Sequence, residues 1–144
     1  MRREIVNCGE GDYLAVTATF PLLELKLLPE FIYVFDTAFH LGEYKDSKHC
    51  IQFHHVPGGT NGQVKVIDNT RIIFGSATHP ESLESATAKA AVLDEAGQKQ
   101  FLRGNWEAVQ RRLSLAQGRC LFGTTLYNAG WFINEVYEPA SRRE

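Results

Sequence analysis

Two adjacent carboxylates follow a short apolar run in the sequence. Residues 90–93 (AAVL) are typical of a buried strand, and Asp94 and Glu95 come directly after it. Ligands of parallel α/β sheets bind at the edge where such strands end. Successive carboxylates point in different directions, so one can hold a hydrated magnesium ion while the other faces a water molecule, as nucleotide hydrolysis requires. The simpler interpretation is a strand that runs into an acidic loop.

Hydroxyl residues end a second apolar run. Residues 119–123 (RCLFG) predict a strand, and Thr124 and Thr125 follow it. In a right-handed strand–helix–strand unit this strand belongs to the same sheet as 90–93, so the threonines are expected near the carboxylates. A hydroxyl there can contact a phosphate or a water molecule. The alternative is a threonine that caps the turn locally.

The elements that position these residues predict an α/β sheet. In the second half, strands and helices alternate, which is typical of a parallel sheet with covering helices. In the first half, Pro21 is expected to begin a short helix and Pro29 to end it. The predicted elements are strand 13–19, helix 22–28, a strand within 49–56, a hairpin of strands 63–67 and 70–75, strand 90–93, helix 101–117, strand 119–123 and helix 128–138.

Composition restricts the class of protein further. The chain has 144 residues, of which 44% are hydrophobic and 22% charged, as in ordinary folded domains. The net charge of −2 does not indicate a nucleic-acid binder, and no apolar run is long enough to span a bilayer. Three widely spaced cysteines form no disulfide framework, which favours a reduced, cytosolic compartment.

The run RIIFGSATHPESLES…AAVLDEAGQKQF…NWEAVQRRLSLAQGRCLFGTTLYNAGWF resembles the large subunit of phage terminases, the ATPase motors that package viral DNA. The resemblance extends from about residue 13 to residue 138. It implies a partial P-loop NTPase of the ASCE type, with a mainly parallel sheet, flanking helices and an inserted β-hairpin.

The resemblance also implies roles for particular residues. VLDEAG resembles the Walker B motif, in which Asp94 would organise Mg²⁺ and Glu95 would be the catalytic carboxylate acting on ATP. FGTT resembles the coupling motif, in which Thr124 and Thr125 would link nucleotide state to movement against DNA. The implied partners are double-stranded DNA, a portal protein and a small terminase subunit, in a ring oligomer in the host cytoplasm with no membrane.

Two parts of the family pattern are not found in residues 1–144. A terminase ATPase needs a phosphate-binding Walker A loop of the type G-x-x-x-x-G-K-[ST], and neither 7–12 nor 58–62 has a lysine after its glycines. We likewise expect no nuclease domain, which the family pattern also includes. We therefore expect residues 1–144 to be part of a terminase ATPase domain that alone hydrolyses ATP poorly or not at all. A gene fragment, a misplaced start codon, an interrupted gene and a prophage remnant are all open as its origin. The missing strand and loop should leave a sheet edge or apolar face uncovered.

Two other functions remain open at this point. The chain could be a non-catalytic interaction module that docks on a separate terminase piece. It could also be a fragment of a P-loop helicase, although Ser76-Ala77-Thr78 precedes Asp94, whereas a helicase would place that motif after the acidic pair. The arginine finger of the family is unassigned, because neither Lys89 nor Arg103 matches a motif.

Overall fold

The computed structural model describes residues 1–54, 56–57, 64–65, 69–79, 81, 87–126 and 130–142. Its strands are β1 (Asp12–Thr17), β2 (Gly42–Lys45), β3 (Cys50–Phe53), β4 (Val56–Pro57), β5 (Val64–Lys65), β6 (Arg71–Ser76), β7 (Ala88–Asp94) and β8 (Arg119–Gly123). Helix α1 is Arg2–Cys8 and helix α3 is Arg103–Ser114. Helix α2 runs through Phe20–Leu22, Leu23–Leu27, Leu28–Ile32 and Tyr33–Ala38, and helix α4 through Gly130–Phe132, Ile133–Tyr137 and Glu138–Ser141. No helix among these is long and apolar enough to cross a membrane.

Six strands form one mainly parallel sheet in the order β2-β3-β6-β1-β7-β8. Strands β6, β1, β7 and β8 run parallel, whereas β3 is antiparallel to both β2 and β6. Thr17 pairs with Ser76 on one side and with Asp94 on the other, and Asp94 pairs with Gly123. The four parallel strands therefore end level with one another, and their carboxyl ends form one edge of the sheet.

Helices cover the two faces of the sheet with separate apolar clusters. On one face, α1 and α2 pack against strand residues such as Tyr13 and Phe74. On the other, α3 and α4 pack against residues such as Val16 and Leu93. Burial on both faces explains why the central strands are continuous apolar runs rather than alternating patterns.

The predicted α/β class, its parallel core and the strands 90–93 and 119–123 are confirmed. An inserted hairpin is also present, but the predicted pairing of 63–67 with 70–75 is wrong. Val64–Lys65 pairs with Val56–Pro57, while β6 lies between β1 and β3. The pairing of β6 with β1 and β3 buries Ile72 and Phe74, and this burial outweighs the local turn signal at Asp68-Asn69. Asp68 itself lies outside the described residues.

The predicted end of a helix at Pro29 is also wrong. The N–H of Leu28 donates to the carbonyl of Leu23, five residues back, so this part of α2 is a wide π-type turn. Pro29 lies on the exposed side, where solvent can satisfy the carbonyl that loses its partner. Apolar residues such as Phe31 and Phe35 continue to pack on the inner side, which keeps the chain helical through Ala38.

Candidate functional site

The carboxyl edge of the sheet contains the point at which the order of the strands reverses. From β1 the chain continues to β2, β3 and β6, which all lie on one side of β1, and from β7 on the other side it continues outward to β8. Such a reversal opens a crevice between the two strands, which is where open α/β sheets bind ligands. Thr17 and Asp94 face each other across this position. The structure thus places Asp94 and Glu95 at the preferred ligand site of the fold.

Asp94 is the last residue of β7 and its side chain is partly buried. Burial raises the pKa of its carboxyl, and the neighbouring Glu95 carboxylate raises it further. Lys26 of α2 and the backbone N–H of Glu95 act in the opposite direction. A carboxylate in such surroundings gains most from a cation that replaces the lost solvation.

Glu95 has a strained backbone and an unsatisfied carboxylate. Its φ of 55° lies in the left-handed region, which costs a non-glycine residue about 1–2 kcal/mol. Its N–H donates to the carbonyl of Gly123 at 2.6 Å, which holds the residue in place. Its Oε2 atom is buried and has no hydrogen-bond partner among the described residues. A strained residue with an unpaired buried oxygen is typical of a functional position, where a ligand supplies the missing partner.

Thr124 binds the turn that follows the carboxylates. Its Oγ1 atom accepts a hydrogen bond from the N–H of Gly97 at 2.9 Å and donates to the carbonyl of Thr125 at 3.0 Å. A Cβ atom on Gly97 would lie 2.7 Å from that carbonyl oxygen and 2.9 Å from Thr124 Oγ1. The turn carrying Glu95 and the segment after β8 therefore pack too closely for any side chain at residue 97.

The structure places the two threonines differently. Thr124 is partly buried against the turn, whereas Thr125 is exposed and contributes its backbone carbonyl. The proximity of this segment to the carboxylates agrees with the strand–helix–strand argument. Gly97 was not among the residues singled out in the sequence, although the close packing of two turns is a common reason for a glycine.

The basic residues near the site are not those considered from the sequence. Lys89 Nζ donates to the carbonyl of Cys8 from the start of β7, the opposite end of that strand from Asp94. Arg103 forms ion pairs with Glu135 at 2.8 Å and Glu107 at 3.5 Å. Lys26, which the sequence analysis missed, is instead the cation that acts on Asp94. A lysine in a helix carries no motif, so only the fold reveals this position.

The residues present fit Mg²⁺ as a cation shared with a phosphate ligand. In the described part of the chain no group of three His, Cys, Asp or Glu residues is arranged to hold a metal ion. Mg²⁺ does not require such a cage, because proteins usually bind it through one or two carboxylates while substrate phosphates and water complete its shell. Asp94 is a carboxylate of the kind that such a partial set requires, and the unsatisfied Oε2 of the adjacent Glu95 is left for another partner.

An open, mainly parallel sheet with helices on both faces and carboxylates at its reversal point defines an α/β fold. The chain has the fold of the ATPase domains of phage large terminases. The large terminase ATPase domain of Thermus phage P74-26 matches with a TM-score of 0.67 and 20% identity, over 92% of this chain and 55% of that domain. The large terminase of a second, thermophilic bacteriophage matches with a TM-score of 0.67 and 10% identity, over 94% of this chain and 31% of that protein.

The second terminase also matches in its complex with ATP-γ-S, with a TM-score of 0.58 and 12% identity, over 94% of this chain and 30% of that one. No protein-family model and no curated protein matches the sequence. The present chain therefore shares the fold of these domains and spans about half the length of the P74-26 domain.

Proposed function

We propose that the chain provides the catalytic carboxylates of a terminase large-subunit ATPase that drives double-stranded DNA into a viral capsid. The observation that carries the proposal is Glu95, a strained residue with an unpaired buried oxygen beside Asp94 at the ligand edge of the sheet. The shared fold supports the same function, as does the structure of the thermophilic phage terminase with ATP-γ-S. Double-stranded DNA, a portal protein and a small terminase subunit are the corresponding proposed partners, in a ring oligomer.

In this proposal each site residue has a distinct task. Asp94 holds Mg²⁺, which when bound neutralises charge on the phosphate oxygens of ATP. Glu95 accepts a hydrogen bond from the attacking water and orients it toward the γ-phosphate. Thr124 keeps Glu95 in position through its hydrogen bond with Gly97. The exposed Thr125 transmits a movement of the turn that carries Glu95 to the residues that follow β8.

The phosphate-binding loop must come from outside these residues. The sequence has no G-x-x-x-x-G-K-[ST] run, and phosphate groups need such backbone N–H groups and a lysine for tight binding. We therefore expect the 144-residue chain alone to show magnesium-dependent ATP hydrolysis at background level. Robust turnover that Glu95→Gln abolishes would show that the chain is competent by itself.

A chimera tests the proposed role of Glu95 directly. Residues 88–126 of this chain would replace the matching segment of the P74-26 ATPase domain, and ATP hydrolysis would be measured in folded protein verified by circular dichroism. We expect hydrolysis to persist and to fall by about 100-fold or more with Glu95→Gln. The control is Glu107→Gln, which changes an exposed glutamate of α3 in the same segment. Equal activity of the two variants would refute the assignment.

The second candidate function is an interaction module that docks on a separate terminase piece. The observation that favours it is the edge strand β8, which exposes Leu121 and has no outer partner among the described strands. This candidate is compatible with the first, because a docked piece could supply the phosphate-binding loop. Hydrolysis restored by mixing two pieces would support both functions, whereas binding without hydrolysis would support the module alone.

A further inference from the structure

A half-open pocket lies between the end of β6 and the start of α2. It has a volume of about 270 Å³, and its lining includes Phe20 of α2 and the backbone of β6 from Phe74 to Ser76. Ser76 pairs with Thr17, which pairs in turn with Asp94. The pocket therefore opens at the same edge of the sheet as the carboxylates, but two strand spacings away, about 10 Å. It is a separate place in the fold from the carboxylate site.

The pocket begins where the pairing of β3 with β6 stops. The N–H of Phe74 donates to the carbonyl of His49 at 2.9 Å. In a continued antiparallel ladder, the N–H of His49 would donate to the carbonyl of Phe74 in return. His49 instead has a φ of 45°, and its N–H donates to the carbonyl of Asp46 at 3.0 Å. The carbonyl of Phe74 is therefore left without its ladder partner among the described residues.

Ser76 presents a hydrogen-bond donor on the same side of β6. Backbone groups of alternate residues point to the same side of a strand. The N–H of Ala77, directly after β6, donates to the carbonyl of Thr17 in β1 at 2.9 Å, so the odd-numbered residues face β1. Phe74 and Ser76 consequently face away from β1. The Phe74 carbonyl and the Ser76 N–H thus form an acceptor and a donor side by side at the pocket.

Aromatic rings border this backbone pair. The ring of Phe20 lies 5.8 Å from the imidazole of His49 and 6.0 Å from that of His79, in edge-to-face arrangements. Glu81 contributes a carboxylate, and the described lining contains no lysine or arginine. Aromatic walls with a few polar groups are typical of a site for a planar ligand. The absence of a cation from this described lining disfavours a phosphate as the group that is recognised.

We propose that this pocket binds an adenine base. The amino group of adenine donates to the Phe74 carbonyl, the ring nitrogen beside it accepts from the Ser76 N–H, and the ring packs against Phe20. Hypoxanthine has a carbonyl oxygen in place of that amino group, so it cannot make the bond to Phe74. The inference does not rest on the proposed function, because it requires only the base and none of the phosphates.

The test uses adenosine, which carries the base but has no phosphate for the carboxylate site. Amide nitrogen–proton NMR spectra of the full chain are recorded as adenosine is added to about 5 mM. We expect a saturable shift of the Ser76 amide signal and no shift at Glu95 or Gly97. Inosine has nearly the same size but lacks the amino group, and it should bind at least about 10-fold more weakly.

A pair of variants tests the aromatic wall. Phe20→Leu keeps an apolar side chain but removes the ring, and it should weaken adenosine binding about 10-fold. The matched control is Phe39→Leu, which changes a phenylalanine that is 58% exposed beyond the end of α2 and should leave binding unchanged. Circular dichroism verifies that both variants are folded.

Each contrary result overturns the adenine site. These results are the absence of a saturable shift at Ser76, equal binding of inosine and adenosine, shifts confined to Glu95 and Gly97, and equal effects of the two variants. Tighter binding of adenosine monophosphate than of adenosine would also contradict it, since the phosphate would then be the group recognised. The chimera that tests the carboxylates contains neither Phe20 nor Ser76 of this chain, so the proposed function and the adenine site can fail separately.

Discussion

Replacement of Thr124 by valine tests whether this side chain holds the acidic turn in place. Valine has nearly the same shape as threonine but carries a methyl group in place of the hydroxyl, so the hydrogen bond from the Gly97 N–H is lost. Gly97 is buried, and an unsatisfied buried N–H costs about 1–3 kcal/mol. At about 3 °C per kcal/mol for a chain of this size, the melting temperature should fall by roughly 3–9 °C.

Thermal unfolding followed by circular dichroism measures this change, and hydrogen exchange at the Gly97 amide locates it. Thr124→Ser keeps the hydroxyl and should recover most of the stability. Thr125→Val makes the same chemical change at the neighbouring exposed position and should alter stability by less than about 0.5 kcal/mol. Equal effects of Thr124→Val and Thr125→Val, or an unchanged exchange rate at Gly97, would show that Thr124 does not secure the turn.

Three other predictions concern stability and reactivity. Asp94→Asn should raise the melting temperature at neutral pH in magnesium-free buffer, because the pKa of Asp94 is raised in the folded protein and its ionised form therefore opposes folding. The gain in melting temperature should vanish below the ordinary pKa of aspartate, where the side chain is protonated in both states. A gain that persists at that pH would exclude a charge effect. Burial raises the pKa of Cys120 to about 12, so iodoacetamide at pH of about 8 should alkylate the exposed Cys8 before Cys120. Mass spectrometry measures the order of labelling, and faster labelling of Cys120 would contradict its burial. Asn105→Ala should lower the free energy of unfolding by about 1–3 kcal/mol in urea titrations, because the buried amide bonds the backbone of both Leu102 and Ala77; a loss below about 0.5 kcal/mol would show that water replaces it.

The sequence predicts both β7 with its acidic end and the neighbouring strand β8, because the signal for each strand is local. An apolar run followed by Asp94 and Glu95 specifies a buried strand and its polar end, and the helix between the two strands dictates their parallel order. The pairing of β6 could not be predicted in the same way. It depends on β1, which lies far earlier in the chain, where Asp12 and Arg71 form a two-point ion pair at 2.7 and 2.8 Å.

The missed site residues were beyond local inference for a similar reason. Lys26 acts on Asp94 only because α2 returns over the sheet, and Gly97 matters only because Thr124 packs against it. The left-handed conformation of Glu95 is also a product of its surroundings, since a glutamate carries no preference for it. Sequence pattern thus locates the carboxylates, whereas tertiary packing determines how they are held.

The backbone of Glu95 has a consequence for how such a sequence can change over time. A glycine at this position would adopt the same φ without strain and would leave no carboxylate oxygen buried without a partner. A lineage that kept only the fold, with no selection for hydrolysis, would therefore drift toward glycine or asparagine at residue 95. The glutamate in this chain is a residue that selection for thermal stability alone would discard, and the proposed catalytic role is a reason for it to be kept.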